Sequence, residues 1–222
     1  MERNIATHQI RGNLNSIVVE YIKECILIGK YKEGDRILET EVSNSLDISR
    51  APVREGLRDL EQEGIVTTIP RKGTFVTEFT EEDIREIFDI RLLLENNINK
   101  ILIYENKLEE KDYRHLEDIV DEMKTIAEST IDFNNKNLLI NQKDMEFHRY
   151  IWNKSGSQRR VKLLEGIFFQ LRVAMLYDMN ETGDLVKSAT DHIDIIQALR
   201  TKNINECKDA LKKHIISYNH WY

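Results

Sequence analysis

Both prolines of this 222-residue chain, Pro52 and Pro70, lie in its first third, and none follows. Proline removes a backbone donor and breaks helix interiors, so a chain this poor in it can run in long helices. With Leu, Ile, Glu and Lys abundant, the expectation is a mainly α protein. The stretch around the prolines nevertheless changes period partway. Leu14, Ile17, Val18, Tyr21, Ile22 and Cys25 recur at three- and four-residue spacing, which predicts an amphipathic helix ending near Gly29. After Gly34-Asp35, a short helix is expected over 39–46 with Val42 and Leu46 inward. Asp47-Ile48 makes a turn, Ser49 reads as an N-cap, and Pro52 is tolerated in the first turn that follows. The helix from Arg50 to Glu63 buries Val53, Leu57 and Leu60, and Gly64 ends it. The β-branched run 65–69, the turn Pro70-Arg71-Lys72-Gly73 and the run 74–77 then predict a β-hairpin. Three helices followed by a hairpin are the layout of a winged helix-turn-helix.

Thr80-Glu81-Glu82-Asp83 before an apolar run is a capping signature. It opens a second region with helices expected at about 81–105, 109–129, 135–154, 157–179, 184–201 and 204–219. Breaks fall at Glu105-Asn106, Asn134-Asn135, Ser155-Gly156, Thr182-Gly183 and Lys202-Asn203. Six amphipathic helices with short connections make an all-α antiparallel bundle. Two domains follow, 1–78 and 79–222, and a hydrophobic content of 41% is enough for both cores. No apolar run approaches the roughly 18 residues of a membrane span, so no membrane partner is expected. Met1 to Asn13 lack the apolar core of a signal peptide. Cys25 and Cys207 lie far apart at apolar helical positions, which suits two reduced core thiols and a cytoplasmic location.

The formal net charge is −7. Residues 1–78 hold 11 Lys+Arg against 13 Asp+Glu, a net of −2, and the remainder holds 21 against 26, a net of −5. Neither half is basic, so nucleic-acid binding has to rest on where particular arginines sit. Arg50, Arg54 and Arg58 fall at i, i+4 and i+8, on a different stripe from Val53, Leu57 and Leu60. Such a helix docks by one face and presents cations on the other, able to meet phosphates or fork onto guanine N7 and O6. Ser49 and the helix N-terminus add donors for a phosphate. Arg71 and Lys72 at the hairpin tip suit backbone or minor-groove contact, with Gly73 allowing close approach. The spacing equally fits a solvated helix on which these arginines pair with Glu55, Asp59 and Glu61.

Four segments resemble the GntR family of bacterial regulators. They are Gly34-Asp35-Arg36-Ile37-Leu38-Glu39, Ser49-Arg50-Ala51-Pro52-Val53-Arg54-Glu55-Gly56-Leu57, Leu60-Glu61-Gln62-Glu63-Gly64-Ile65-Val66 and Gly73-Thr74-Phe75-Val76. The resemblance covers about residues 14–77. It implies sequence-specific binding of double-stranded operator DNA by a homodimer, with contacts at Ser49, Arg50, Arg54, Arg71, Lys72 and Gly73. Two positions depart from the family pattern. Thr40 stands where the family often has Arg, and Gly56 replaces the usual Ala at a cost of about 1 kcal/mol in helix propensity.

In the second region Asp144 and His148 are four apart on one expected helix and can point at a common centre. His192 is in register with Ile195, Ile196 and Leu199, and His214 with Cys207, Ala210, Leu211 and Tyr218. Inward imidazoles need partners for their ring nitrogens, and core hydrogen bonds, a surface Asp-His pair and metal ligation all fit this spacing. Arg91-Leu92-Leu93-Leu94-Glu95, Asp144-Met145-Glu146-Phe147-His148, His192 to Leu199 and Ala210 to His214 resemble the FCD domain of the FadR-type branch. Ser155-Gly156-Ser157 departs from that branch's usual Ser-Gly-Asn. The resemblance implies a divalent metal on Asp144, His148, His192 and His214, of the zinc, nickel or manganese class. It also implies a small-molecule effector, an organic acid, which Arg91 and Arg172 could assist, although Arg91 equally fits a pair with Glu95 one helical turn away. The expected function is a transcriptional regulator, a repressor, rather than an enzyme. A metal-dependent hydrolase is the competing class, but the sequence places no further general base. A helical adaptor that binds no DNA is the third.

Overall fold

The structure is a computed structural model that describes residues 14–182 and 184–217, the side chains of 174–182 and 216–217 excepted. The polar leader 1–13 and the expected last turn of the final helix, to 219, lie outside the described residues. Nine helices and three strands occur among those described. The chain divides into two compact units, Met1–Glu78 and Phe79–Tyr222.

The first unit runs α1 (Leu14–Leu27), β1 (Arg36–Ile37), α2 (Glu39–Leu46), α3 (Arg50–Gln62), β2 (Val66–Ile69) and β3 (Gly73–Val76). Helix α1 buries Val18, Val19, Ile22, Cys25 and Ile26, whereas the expected inward residues Leu14 and Ile17 are exposed. Apolar residues occur on more than one side of this helix, so periodicity alone does not select its face. Asp47 ends α2 in the left-handed region, Ser43 Oγ donates to Ile48 O at 2.6 Å, and α3 begins at once. Ser49 occupies the N-cap with extended backbone, but its side chain makes no cap hydrogen bond. The hairpin forms one residue away from its expected bounds, in the register Val66↔Val76 and Ile69↔Gly73. Strand β1 had no signature, because two residues carry no alternation to read. It pairs with β3, giving the order β1-β3-β2.

Gly56 now has a structural reason. A Cβ there would lie 2.7 Å from Val18 Cγ1, 2.8 Å from Val18 Cβ and 3.0 Å from the Asn15 carbonyl oxygen. Helices α1 and α3 therefore approach too closely for a methyl group between them.

The second unit runs α4 (Glu81–Tyr104), α5 (Glu110–Glu128), α6 (Phe133–Lys154), α7 (Gln158–Thr182), α8 (Leu185–Thr201) and α9 (Ile204–Ser217). The Thr80 capping box forms with Asp83. Helix α6 starts two residues before its expected position, because the Asp132 carboxylate accepts from the Asn135 N–H and the chain passes through the two asparagines as helix. Helix α5 packs on α6 and α8, α8 on α9, and α4 on α7 and α9. Their shared core contains Phe88, Leu116, Met123, Phe147, Trp152 and Leu199. No helix among the described residues is long and apolar enough to cross a membrane.

Candidate functional site

Asp144 and His148 project from one face of α6, His192 from α8 and His214 from α9, and all four are fully buried. One ligand atom from each lies within 4.8 Å of every other. His192 Nε2 is 3.0 Å from Asp144 Oδ1, His214 Nε2 is 3.4 Å from it, and His148 Nε2 is 3.0 Å from His214 Nε2. The structure thus brings together residues of three helices, 22 to 70 apart in sequence, that spacing could only align helix by helix.

The outer hydrogen bonds fix which nitrogens face inward. His192 Nδ1 donates to the Ser188 carbonyl at 3.0 Å, and His148 Nδ1 donates to Glu95 Oε2 at 2.9 Å. A neutral imidazole donating through Nδ1 carries its lone pair on Nε2. Burial lowers the pKa of His148 and brings that of His214 to about 3, which favours their neutral forms. Burial opposes ionisation of Asp144, but the surrounding imidazoles outweigh it and hold the carboxyl well below its usual range. His192 Nδ1 is engaged by Ser188, so its Nε2, 3.0 Å from Asp144 Oδ1, is the nitrogen left to share a proton or a metal cation with the carboxylate. Three imidazole nitrogens and one carboxylate oxygen are also a donor set for a late first-row divalent ion. The residues present fit such a group.

Glu95 was legible only as a partner of Arg91. It also reaches His148, 53 positions away, which no local motif could have indicated. Its other oxygen accepts from Arg91 Nε at 2.6 Å, and both side chains are buried. Burial opposes ionisation of Glu95, yet His148 and Arg91 bring its pKa to about 2. Carboxylate-imidazole pairs of this kind orient metal ligands. Arg172, half-buried on α7, donates through Nε to Asn141 Oδ1 at 2.8 Å, and Asn141 Nδ2 donates to the Arg172 carbonyl at 3.3 Å.

In the first unit Ser49, Arg50, Arg54, Arg71 and Lys72 are exposed. Among the described residues no ion pair joins Arg50, Arg54 or Arg58 to Glu55, Asp59 or Glu61 of their own helix. Asp59 accepts from Asn15 and Glu61 from the Thr68 N–H, while Arg54 bonds to Glu39 of α2. Arg71 has a φ of 65°, and Gly73 a φ of 118°. A Cβ at Gly73 would sit 2.8 Å from Arg36 Nε. Gly73 thus makes room for the Arg36 guanidinium, a third cation beside Arg71 and Lys72 that no spacing in the sequence marks.

A winged helix-turn-helix joined in sequence to a helical bundle defines a class, the two-domain DNA-binding transcriptional regulators. Comparison makes this specific. Residues 14–76 match the bacterial regulatory proteins, gntR family, and residues 86–217 match the FCD domain. The chain belongs to the GntR family, with an FCD domain, and is a DNA-binding transcriptional regulator. It is 31% identical to the uncharacterised HTH-type transcriptional regulator YdhC of Bacillus subtilis (strain 168), over 90% of this chain and 85% of that one. It is 28% identical to the gluconate operon transcriptional repressor of the same strain, over 80% of this chain and 72% of that one. The structure of E. coli McbR/YncC shares the fold, with a TM-score of 0.77 at 20% identity, over 93% of this chain and 95% of that one. These relatives are regulators, not enzymes.

Proposed function

We propose that this regulator is a repressor that acts as a homodimer on operator DNA in the cytoplasm. It answers to a small organic acid bound beside a divalent metal in its FCD domain. The single observation that carries the metal reading is the convergence of Asp144, His148, His192 and His214 on one buried point. When bound, a divalent cation would supply positive charge and coordination positions for a carboxylate. Imidazoles that ligate a metal do so through a neutral ring, so Arg91, Glu95 and Asp144 would leave the ligated cluster at −1 before the ion is counted; a divalent cation brings it to +1 and an organic anion complements that charge. Arg91 and Arg172 assist the effector, Arg91 through its pairing with Glu95. Ser49, Arg50, Arg54, Arg71, Lys72 and Gly73 meet the DNA. The repressor sign and the choice of an acid are supported by the relative whose name gives it as a gluconate operon repressor. An effector that prefers one arrangement of the dimer shifts the population away from the DNA-competent one.

The test is elemental analysis of the purified protein, followed by fluorescence-anisotropy binding to flanking intergenic DNA across a panel of organic acids. About one metal per chain is expected, reduced in His148→Ala and His214→Ala. At least one acid should release the DNA. A wild type that neither carries nor takes up zinc, nickel or manganese removes the metal reading. DNA binding indifferent to every acid removes the effector reading and leaves the DNA-binding assignment intact.

A further inference from the structure

The three arginines of the α3 stripe are not equivalent. Arg54 Nε lies 3.0 Å from Glu39 Oε1 and 2.8 Å from Glu39 Oε2, so one nitrogen bridges both oxygens of a carboxylate on the neighbouring helix. Arg50 and Arg58 show no such ion pair among the described residues. Glu39 is the first residue of α2, where the helix N-terminus favours an acid. An exposed pair of this kind contributes little to stability. A carboxylate among DNA-facing cations also repels phosphates, so it weakens binding to any sequence. Its effect on Arg54 is directional. With Nε held, the guanidinium keeps its Nη1–Nη2 edge for another acceptor pair, and the fork that reads guanine O6 and N7 is a planar pair of N–H groups.

We infer that Glu39 is a specificity-determining positioning residue of DNA reading. It aims Arg54 at one base pair, while Arg50 and Arg58 remain free to meet phosphates. The inference rests on the reading role proposed for Arg54. Glu39 acts through discrimination, and its charge slightly opposes binding overall.

The experiment uses the full-length chain. A randomised duplex library is selected with wild type, and the selected duplex, its single-base-pair variants and an unrelated duplex are then titrated at fixed salt. Glu39→Gln keeps shape and removes charge. Arg54→Lys keeps charge and loses the planar fork, so it reports the reading role of Arg54 itself. Glu41→Gln, in the same first turn of α2, is the control. Both variants should flatten preference at the same base pair, Glu39→Gln by weakening the hold on Arg54 and Arg54→Lys by removing the fork, lowering the ratio of specific to unrelated binding about tenfold. Glu39→Gln should bind the unrelated duplex as well as wild type or better, and Glu41→Gln should keep the wild-type profile. Arg54→Ala that leaves every preference intact sinks the reading role of Arg54. Arg54→Ala that flattens one position while Glu39→Gln does not sinks the role of Glu39 alone. A uniform loss of affinity in Glu39→Gln across all duplexes also overturns it. Were Glu39→Gln to misfold, Glu39→Ala, which also removes the acceptor of the Arg54 Nε–H, would be read in its place against the same outcomes.

Discussion

Gly56→Ala is a change whose sign two opposing effects decide. Alanine in a helix interior is favoured over glycine by about 1 kcal/mol. Against this stand contacts of 2.7 Å to Val18 Cγ1, 2.8 Å to Val18 Cβ and 3.0 Å to the Asn15 carbonyl. Carbon atoms pack best at about 3.5–4.0 Å. Rotation about χ1 moves Val18 Cγ1 but not Val18 Cβ or the Asn15 oxygen, which belong to the frame of α1. Relief therefore requires α1 to withdraw as a body, and a gap of about 0.5–1 Å forfeits a quarter to a half of each contact along the interface. Overpacking of this kind costs about 1–3 kcal/mol. The overpacking cost outweighs the propensity gain, and the net expectation is a destabilisation of about 1 kcal/mol. In a unit the size of Met1–Glu78 that lowers the melting temperature by about 4–8 °C. Trp152 is buried in the FCD domain, and its fluorescence follows that domain while calorimetry follows both units. The calorimetric transition of the head should fall and the fluorescence transition should stay. A Gly56→Ala chain whose head melts unchanged or higher would refute the close helix approach.

Glu95→Ala should weaken zinc or nickel binding about 10- to 100-fold, because His148 loses the acceptor that orients its ring. Competition with a coloured chelator measures this, and unchanged affinity would remove Glu95 from the site. Asp112 bears on acid stability. Burial opposes its ionisation, but Lys154, the Glu109 N–H and Tyr150 outweigh it and bring its pKa from 3.8 to about 2. A carboxyl depressed in the folded state stabilises above its unfolded pKa, and that contribution disappears as pH falls through the folded value. Asp112→Asn should therefore be less stable than wild type by about 2 kcal/mol at pH 7, with the gap closing between about pH 4 and pH 2. Parallel denaturation curves over that range would contradict the pairing. Arg36→Ala should weaken binding to related and unrelated duplexes alike and lower the salt slope by about 1, as loss of one phosphate contact does. An unchanged slope would return Arg36 to a structural role.

The sequence was most readable where chemistry repeats along one element. Asp144 and His148 share a helix face, and Val53, Leu57 and Leu60 mark the buried side of α3 by spacing alone. It was least readable where two distant segments meet. Glu95 with His148, Glu39 with Arg54, and Gly73 with Arg36 are each made by tertiary packing, and neither partner carries a local sign of the other. Gly56 looked like an unexplained cost because its reason lies on α1. The missed strand β1 has the same origin, since only β3 makes it a strand.

The interior of the FCD domain bears on why such a site belongs in this fold. Arg91, Glu95 and Asn99 follow one another at four-residue steps on α4, and Asn137, Asn141, Asp144 and His148 form a matching row on α6, all buried. Well-packed apolar residues in place of a buried ion pair are often neutral or stabilising. A bundle selected for stability alone has no need of this polar seam. On the proposed function the seam makes the domain's stability depend on what it holds, because a ligand present at about 100 times its dissociation constant adds about 2.7 kcal/mol to the folded state. That dependence is what a sensor requires. A domain already filled by apolar packing would gain nothing comparable on binding, and would have little free energy to transmit to an attached DNA-reading head.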